Sequence, residues 1–230
     1  MPVINFSYKD LVHLIGKDIE KEEFLEKFPL IGCEIERVEG DSISIEIFPD
    51  RPDMNSVEGI ARAARNFFGI ERGLKKYKVW KSDIVTYVDE TVKEVRPIIV
   101  TALVKNVKMS DELISSLMEL QEKLHLGVGR NRKKIAIGVH DFDRVKPPFL
   151  YKAVDPLSTE FVPLNSTEKM NLKEILERHP KGIEYAHLLE GKELYPVLVD
   201  REENVLSFPP IINGVLTQVT PSTRNIFIDI

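Results

Sequence analysis

The stretch Ser207-Phe-Pro-Pro-Ile-Ile-Asn213-Gly-Val-Leu-Thr217-Gln-Val-Thr-Pro-Ser-Thr223-Arg-Asn-Ile-Phe-Ile-Asp229-Ile230 organises the reading of everything before it. Pro209 and Pro210 exclude a helix, and Ile226, Ile228 and Ile230 alternate as in a strand. Between them Asn213, Thr217, Thr220, Ser222 and Thr223 supply short hydrogen-bonding side chains beside Gly214. Two readings stand at this point: turn chemistry between strands, or a concave wall that recognises a small polar molecule.

Upstream, Tyr195-Pro-Val-Leu198-Val-Asp200 and Val205-Leu-Ser207-Phe208 flank Glu202-Glu203-Asn204 and predict a hairpin that delivers Leu198 and Ser207 to one neighbourhood. Leu172, Ile175 and Leu176 mark a helix that His179-Pro180 breaks. Ahead of these, Ser110 and Asp111 open a helix with Leu113, Ile114, Leu117, Met118, Leu120 and Leu124 facing inward, ending at Gly127. The apolar run from Pro97 to Met109 predicts a strand covered on both faces. Val85, Tyr87 and Val88 predict a short one.

The first 75 residues read as a small module of their own. Leu11, Val12, Leu14 and Ile15 form one helical stripe and Phe24, Leu25 and Phe28 another. Ile43, Ile45 and Ile47 alternate after the turn at Gly40-Asp41, which predicts a hairpin with one buried face. A helix follows, with Asn55 as its cap, Glu58 completing a capping box, and Val57, Ile60, Ala61, Ala64, Phe67 and Phe68 inward. Asp50, Arg51 and Asp53 at its mouth read as a structural ion-pair knot. The expected fold class is α+β: a helix-and-hairpin module over 1–75, then a larger mixed α/β module over 76–230.

Composition narrows the chemistry. The 230 residues are 43% hydrophobic and 30% charged, with a net charge of -5, which argues against wholesale coating of nucleic acid. No apolar run is long enough to cross a bilayer and the start lacks an export signal, so a cytoplasmic protein without a membrane partner is expected. Cys33 is the only cysteine, so neither an internal disulfide nor a thiolate metal cluster can form. The histidines show no ligand spacing, and no metal site is expected.

Two further features carry chemistry. Arg130-Asn131-Arg132-Lys133-Lys134 places four cations in five residues, either a solvated run or a phosphate-binding patch. His140-Asp141-Phe142-Asp143 ends a buried strand, where a histidine beside carboxylates is either a structural hydrogen-bonding group or part of a site. No Ser-His-Asp or Cys-His arrangement assembles from spacing, so no covalent nucleophile is assigned.

Three motifs in order, Pro49-Asp50-Arg51-Pro52-Asp53 before Gly59-Ile60-Ala61-Arg62, Gly129-Arg130-Asn131-Arg132-Lys133 before Ile137-Gly138-Val139-His140-Asp141-Phe142-Asp143, and Ser207-Phe208-Pro209-Pro210-Ile211-Ile212-Asn213 before Thr223-Arg224-Asn225-Ile226-Phe227, closely resemble the β-subunit family of phenylalanyl-tRNA synthetases. The likeness is to the archaeal and eukaryotic branch, because only a hairpin stands between Gly32-Cys33-Glu34 and Pro49. The resemblance covers the front of such a subunit and implies that 76–230 is an editing module, truncated at its C-terminal end, which hydrolyses tyrosine from tRNA(Phe). It implies an α subunit partner in an α2β2 heterotetramer, with magnesium and ATP used at the complete ligase's synthetic site elsewhere. In the editing pocket it implies Leu198 as a wall for the ring, Ser207 and Asp229 as hydrogen-bonding groups, and Asn213, Thr217, Thr223 and His140 as lining. Arg130, Arg132, Lys133 and Arg224 are the candidates for tRNA phosphates. The alternative is a non-catalytic scaffold and tRNA-docking region.

Overall fold

A computed structural model describes residues 2–230. They divide into two compact units, residues 1–79 with 115–131, and 80–114 with 132–230.

In the first unit, β1 (Val3–Ser7), α1 (Tyr8–Ile15), α2 (Lys21–Lys27), β2 (Cys33–Glu39), β3 (Ser42–Ile47) and α3 (Val57–Phe67) surround one core. The antiparallel sheet runs β1-β3-β2, with β3 central. Ile43, Ile45 and Ile47 all point from β3 into the core, as their alternation requires. They meet Ile4 and Phe6 of β1, Leu11 and Ile15 of α1, and Ile60 and Ala64 of α3. β1 goes unread in the sequence because its five residues offer only Ile4 and Phe6 as a pattern.

Helix ends follow from side-chain oxygens. Ser7 caps α1 by accepting from the Asp10 amide. The cap of α3 is Ser56, which accepts from the Gly59 amide at 3.2 Å, and not Asn55, which lies buried one residue earlier. Glu58 closes no capping box: its carboxylate accepts from the Ser116 hydroxyl at 2.8 and 3.0 Å. Phe67 is exposed instead of inward, although its ring packs edge-on against Phe68. The expected knot forms around Asp53, which Arg51 grips with two bonds of 2.9 and 3.0 Å, and Arg62 adds a third contact. The Arg51 hydrogen bonds hold the Asp53 carboxyl below the usual carboxylate range.

The second unit is built on a five-stranded sheet, β12-β11-β10-β7-β4, and a three-stranded sheet, β5-β13-β6. The strands are β4 (Thr86–Val88), β5 (Thr101–Val104), β6 (Gly138–Asp141), β7 (Phe149–Val154), β10 (Tyr195–Val199), β11 (Val205–Phe208), β12 (Ile212–Asn213) and β13 (Ile226–Asp229). β8 (Glu160–Phe161) and β9 (Met170–Asn171) make a separate ribbon that leads into α5 (Leu172–Arg178) and α6 (Pro180–Tyr185). The large sheet is apolar on both faces. Val197, Val199, Val205 and Phe208 pack with Leu172, Ile175 and Tyr185 from the helices. Leu198 and Leu206 face the other way, toward Phe149, Tyr151 and Phe227.

The 97–109 run is not a strand buried on both sides. Only Thr101–Val104 is strand, and Ile98 and Val100 are exposed. Within β5, Ala102 and Val104 are exposed while Thr101 and Leu103 are half-buried, so one of its faces is open. The helix after it, α4 (Asp111–Leu126), leaves its predicted apolar stripe half-buried, and its one fully buried side chain is His125.

Gly59 has a steric reason: a Cβ there would lie 2.1 Å from the Asp53 carbonyl oxygen. Gly59→Ala is therefore expected to cost the first unit about 2 kcal/mol or more, as overpacking does. Amide hydrogen exchange of β1, β3 and α3 should rise accordingly, and unchanged protection would contradict the close contact.

Candidate functional site

The polar residues of the second unit meet where the two sheets face each other. In the register of β6 with β13, Phe227 lies opposite His140 and Asp229 opposite Gly138. Alternation puts Phe227 and Asp229 on one face of β13, and directly opposed residues share a face, so His140 and Gly138 join them. Phe227 touches Phe149 of the large sheet, with ring centroids 4.4 Å apart. That face of the large sheet also carries Leu198 and Tyr151, which are opposite one another. Ser207 lies across the hairpin from Leu198, on the same face.

His140 is fully buried and links two chain segments. Its Nε2 lies 2.6 Å from Asp229 Oδ1 and its Nδ1 lies 2.8 Å from Thr217 Oγ1. An ionised Asp229 only accepts, so Nε2 carries a proton and donates to it. The Thr217 hydroxyl either donates to Nδ1, or accepts from it and turns its own proton toward the carbonyl of Gly214 at 3.3 Å or Leu206 at 3.4 Å. In the second arrangement the bonds run from Asp229 through the ring to a backbone carbonyl, and in the first they end at the hydroxyl that donates to Nδ1.

Ser207 is different. It is 2% exposed and its hydroxyl has no hydrogen-bond partner. Leaving a buried hydroxyl unpaired costs about 1–3 kcal/mol. Among the expected pocket residues it is the one whose polar capacity the protein leaves unused.

The remaining candidates separate. Asn213, paired with Ser207 across β11 and β12, donates to the Val139 carbonyl at 3.4 Å. Thr223 donates to Asp141 Oδ2 at 2.8 Å and accepts from the Thr220 amide. Because Asp141 follows His140 on a strand, it points to the opposite face, and Thr223 closes a loop there. Arg132 is buried: its guanidinium stacks on Tyr185 at 4.4 Å and donates to the carbonyls of Pro210 and Ile211. Arg130, Lys133 and Arg224 are exposed. Arg130, Asn131 and Arg132 all have positive φ, of 50°, 53° and 63°, an uncommon backbone for non-glycine residues.

Three contributors escaped the reading of the sequence. A Cβ on Gly138 would lie 2.2 Å from Asp229 Oδ1 and 2.7 Å from His140 Nε2, so only glycine leaves room for the pair. A glycine inside an otherwise apolar strand was the available signal. Tyr151, buried on the inner face, donates to the Arg96 carbonyl at 2.9 Å, and burial pushes its phenol pKa up. Burial lowers the Arg96 pKa, while nearby Tyr151 and Asp229 pull it back up. Nothing in the spacing pointed to either.

Among the described residues no group of three or more His, Cys, Asp or Glu is placed to hold a metal ion, and no residue here is assigned to magnesium or ATP. No helix among them is long and apolar enough to cross a membrane.

No family model matches the chain. It is 54% identical over all 230 residues to the phenylalanine–tRNA ligase β subunit of Methanosarcina barkeri and 51% identical to that of Archaeoglobus fulgidus. The chain spans 42% of the length of each of these relatives. The crystal structure of an N-terminal fragment of the phenylalanyl-tRNA synthetase β subunit from Pyrococcus horikoshii superposes with a TM-score of 0.93 at 44% identity, covering 99% of this chain and 67% of that one. With such identity along its whole length and the same fold, the chain belongs to the phenylalanyl-tRNA synthetase β-subunit family, in its archaeal and eukaryotic form.

Proposed function

We propose that the second unit is a hydrolytic proofreading module, which removes tyrosine wrongly esterified to tRNA(Phe) as part of a cytoplasmic phenylalanine–tRNA ligase. The complete ligase would pair this β subunit with an α subunit as an α2β2 heterotetramer and use ATP and magnesium at its synthetic site. The need for such a module is physical. An apolar pocket built for phenylalanine rejects a ligand that merely adds a hydroxyl by only about a hundredfold. A second site that selects for the hydroxyl makes up the difference.

The observation that carries this reading is the buried, unpartnered hydroxyl of Ser207 opposite Leu198. Leu198 and Ser207 are both buried, so the residues packed on them have to part for a tyrosine ring to enter; its hydroxyl would then give Ser207 a partner, whereas phenylalanine would leave it unpaired. Asp229, held by His140 and behind it Thr217, is a fixed negative group for orienting the aminoacyl end. Hydrolysis then needs a positioned water: its oxygen attacks the ester carbonyl carbon, the bond to the ribose oxygen breaks, and that oxygen takes up the proton. No side chain is assigned as a nucleophile. Exposed Arg130, Lys133 and Arg224 are suited to phosphates, whereas Arg132 is committed to its own unit.

The second reading, a scaffold and docking region without hydrolytic activity, is favoured by the mutual satisfaction of Asp229, His140 and Thr217, which also suits a purely structural role. The two readings part on a deacylation assay of the 230-residue chain with tyrosyl-tRNA(Phe) and phenylalanyl-tRNA(Phe), where proofreading predicts faster loss of tyrosine.

Ser207→Ala removes an unpaired hydroxyl, so folding stability should hold or rise by about 1 kcal/mol while tyrosyl-tRNA deacylation slows about tenfold. Asp229→Ala should slow it at least as much. Unchanged rates in both variants would remove the site assignment. Gly138→Ala forces a methyl group against Asp229 and His140, and is expected to depress deacylation and lower the melting temperature together. A fully active, fully stable Gly138→Ala protein would show that this pair is irrelevant to the reaction.

A further inference from the structure

Between α3 and β4 the chain has no helix or strand longer than a single turn, and its sequence there is unlike the rest. The ten residues from Arg72 to Lys81 hold Arg72, Lys75, Lys76, Lys78 and Lys81 and no carboxylate, in a chain whose net charge is -5. Tyr77 and Trp80 alternate with the lysines, and all ten residues are exposed. The two rings are 68% and 72% exposed, far from the burial that aromatic side chains normally reach.

Beside this segment, wholly within the first unit, lies an open hollow of about 450 Å³. Its lining includes Lys75, Tyr77, Arg62 and Arg65, with Leu120 and Leu124 as apolar members. Three carboxylates line it as well, of which Glu58 accepts from the Ser116 hydroxyl and the other two meet cations. Arg62 meets Asp53, and Arg65 and Lys75 both bond Glu71 at 3.0 Å.

We infer that Arg72–Val79 and the adjoining hollow, all within the first unit, form a binding site for single-stranded RNA, in which cationic side chains meet the phosphates, Tyr77 stacks on a base, and the hollow receives one base. Flexible nucleic acid strands are held by this combination, a cationic track with aromatic faces along it. A base is flat and apolar on its faces and polar at its edge. The hollow offers both kinds of contact, since leucines, a tyrosine, guanidinium groups and carboxylates all line it. A duplex would present its bases already stacked and could not use the ring. An anionic membrane could use the lysines, but the segment forms no amphipathic helix to lay an apolar face into lipid.

This site does not rest on the proofreading reading, since it uses no residue of the second unit's polar cluster. Trp80 is the only tryptophan and follows the segment directly in the chain, so its fluorescence reports on binding there. Titration of the 230-residue chain with a twelve-nucleotide oligouridine should quench that fluorescence to saturation, with an affinity that falls as salt rises. Tyr77→Ala should weaken binding about tenfold or more. Lys76→Glu should lower the slope of log affinity against log salt by about 0.7. Circular dichroism would check that each variant is folded, and Ser207→Ala should bind as the parent does.

Absence of quenching at low salt, or variants of this segment that bind as tightly as the parent, would overturn the proposal. So would binding lost only in a double variant of Arg130→Glu and Lys133→Glu, or phosphatidylglycerol vesicles that displace the oligonucleotide at equal phosphate concentration.

Discussion

A hydrogen bond of 2.6 Å joins His140 and Asp229, residues 89 positions apart, and the polar architecture of the second unit depends on it. It forms because β13 is the middle strand of its sheet, with β5 on one side and β6 on the other. The β6–β13 register sets Asp229 opposite Gly138, and the missing side chain of Gly138 is the space that the His140 ring and the carboxylate share. Moving this pairing by one residue would turn both groups to the opposite face. The sheet register and the chemistry are therefore one constraint.

The large sheet supplies the setting. Its strands are apolar on both faces, because helices cover one side and the small sheet the other. A hydroxyl in such an interior meets a partner or remains unpaired at a cost. Thr217 and Thr223 have partners, and Ser207 does not. Natural interiors seldom tolerate that deficit without another use for the group, which gives Ser207 its weight in the functional reading.

The cations of the chain divide by surroundings more than by spacing. Arg132 sits inside the four-cation run yet is buried on Tyr185, fastening that turn to the carbonyls of Pro210 and Ile211. Arg51 and Arg62 converge on Asp53 and hold the mouth of α3. The lysines of the 72–81 segment are exposed, with Tyr77 and Trp80 among them, and Lys75 bonds Glu71. Guanidinium groups suit the first two roles, since a planar fork satisfies several acceptors at once.

Periodicity alone determined the local elements: the Ile43, Ile45, Ile47 alternation that made β3, the hairpin that set Leu198 across from Ser207, and the helix after Ser56. Its failures were places where neighbours decide. Ile98 and Val100 lie ahead of β5 and are left exposed, and Ser56, in an extended backbone conformation, takes the cap of α3 in place of Asn55. The site divides in the same way. Motif resemblance brought Leu198, Ser207, Asn213, Thr217, Thr223, Asp229 and His140 onto one list and Arg132 onto another, but only the folded chain turned Thr223 toward Asp141, committed Arg132 to Tyr185, and set Gly138, Tyr151 and Arg96 near Asp229. Residue order carries the local patterns of hydrogen bonding and burial, while contacts across 77 and 89 positions, such as His140 with Thr217 and Asp229, exist only once strands far apart in the chain have paired.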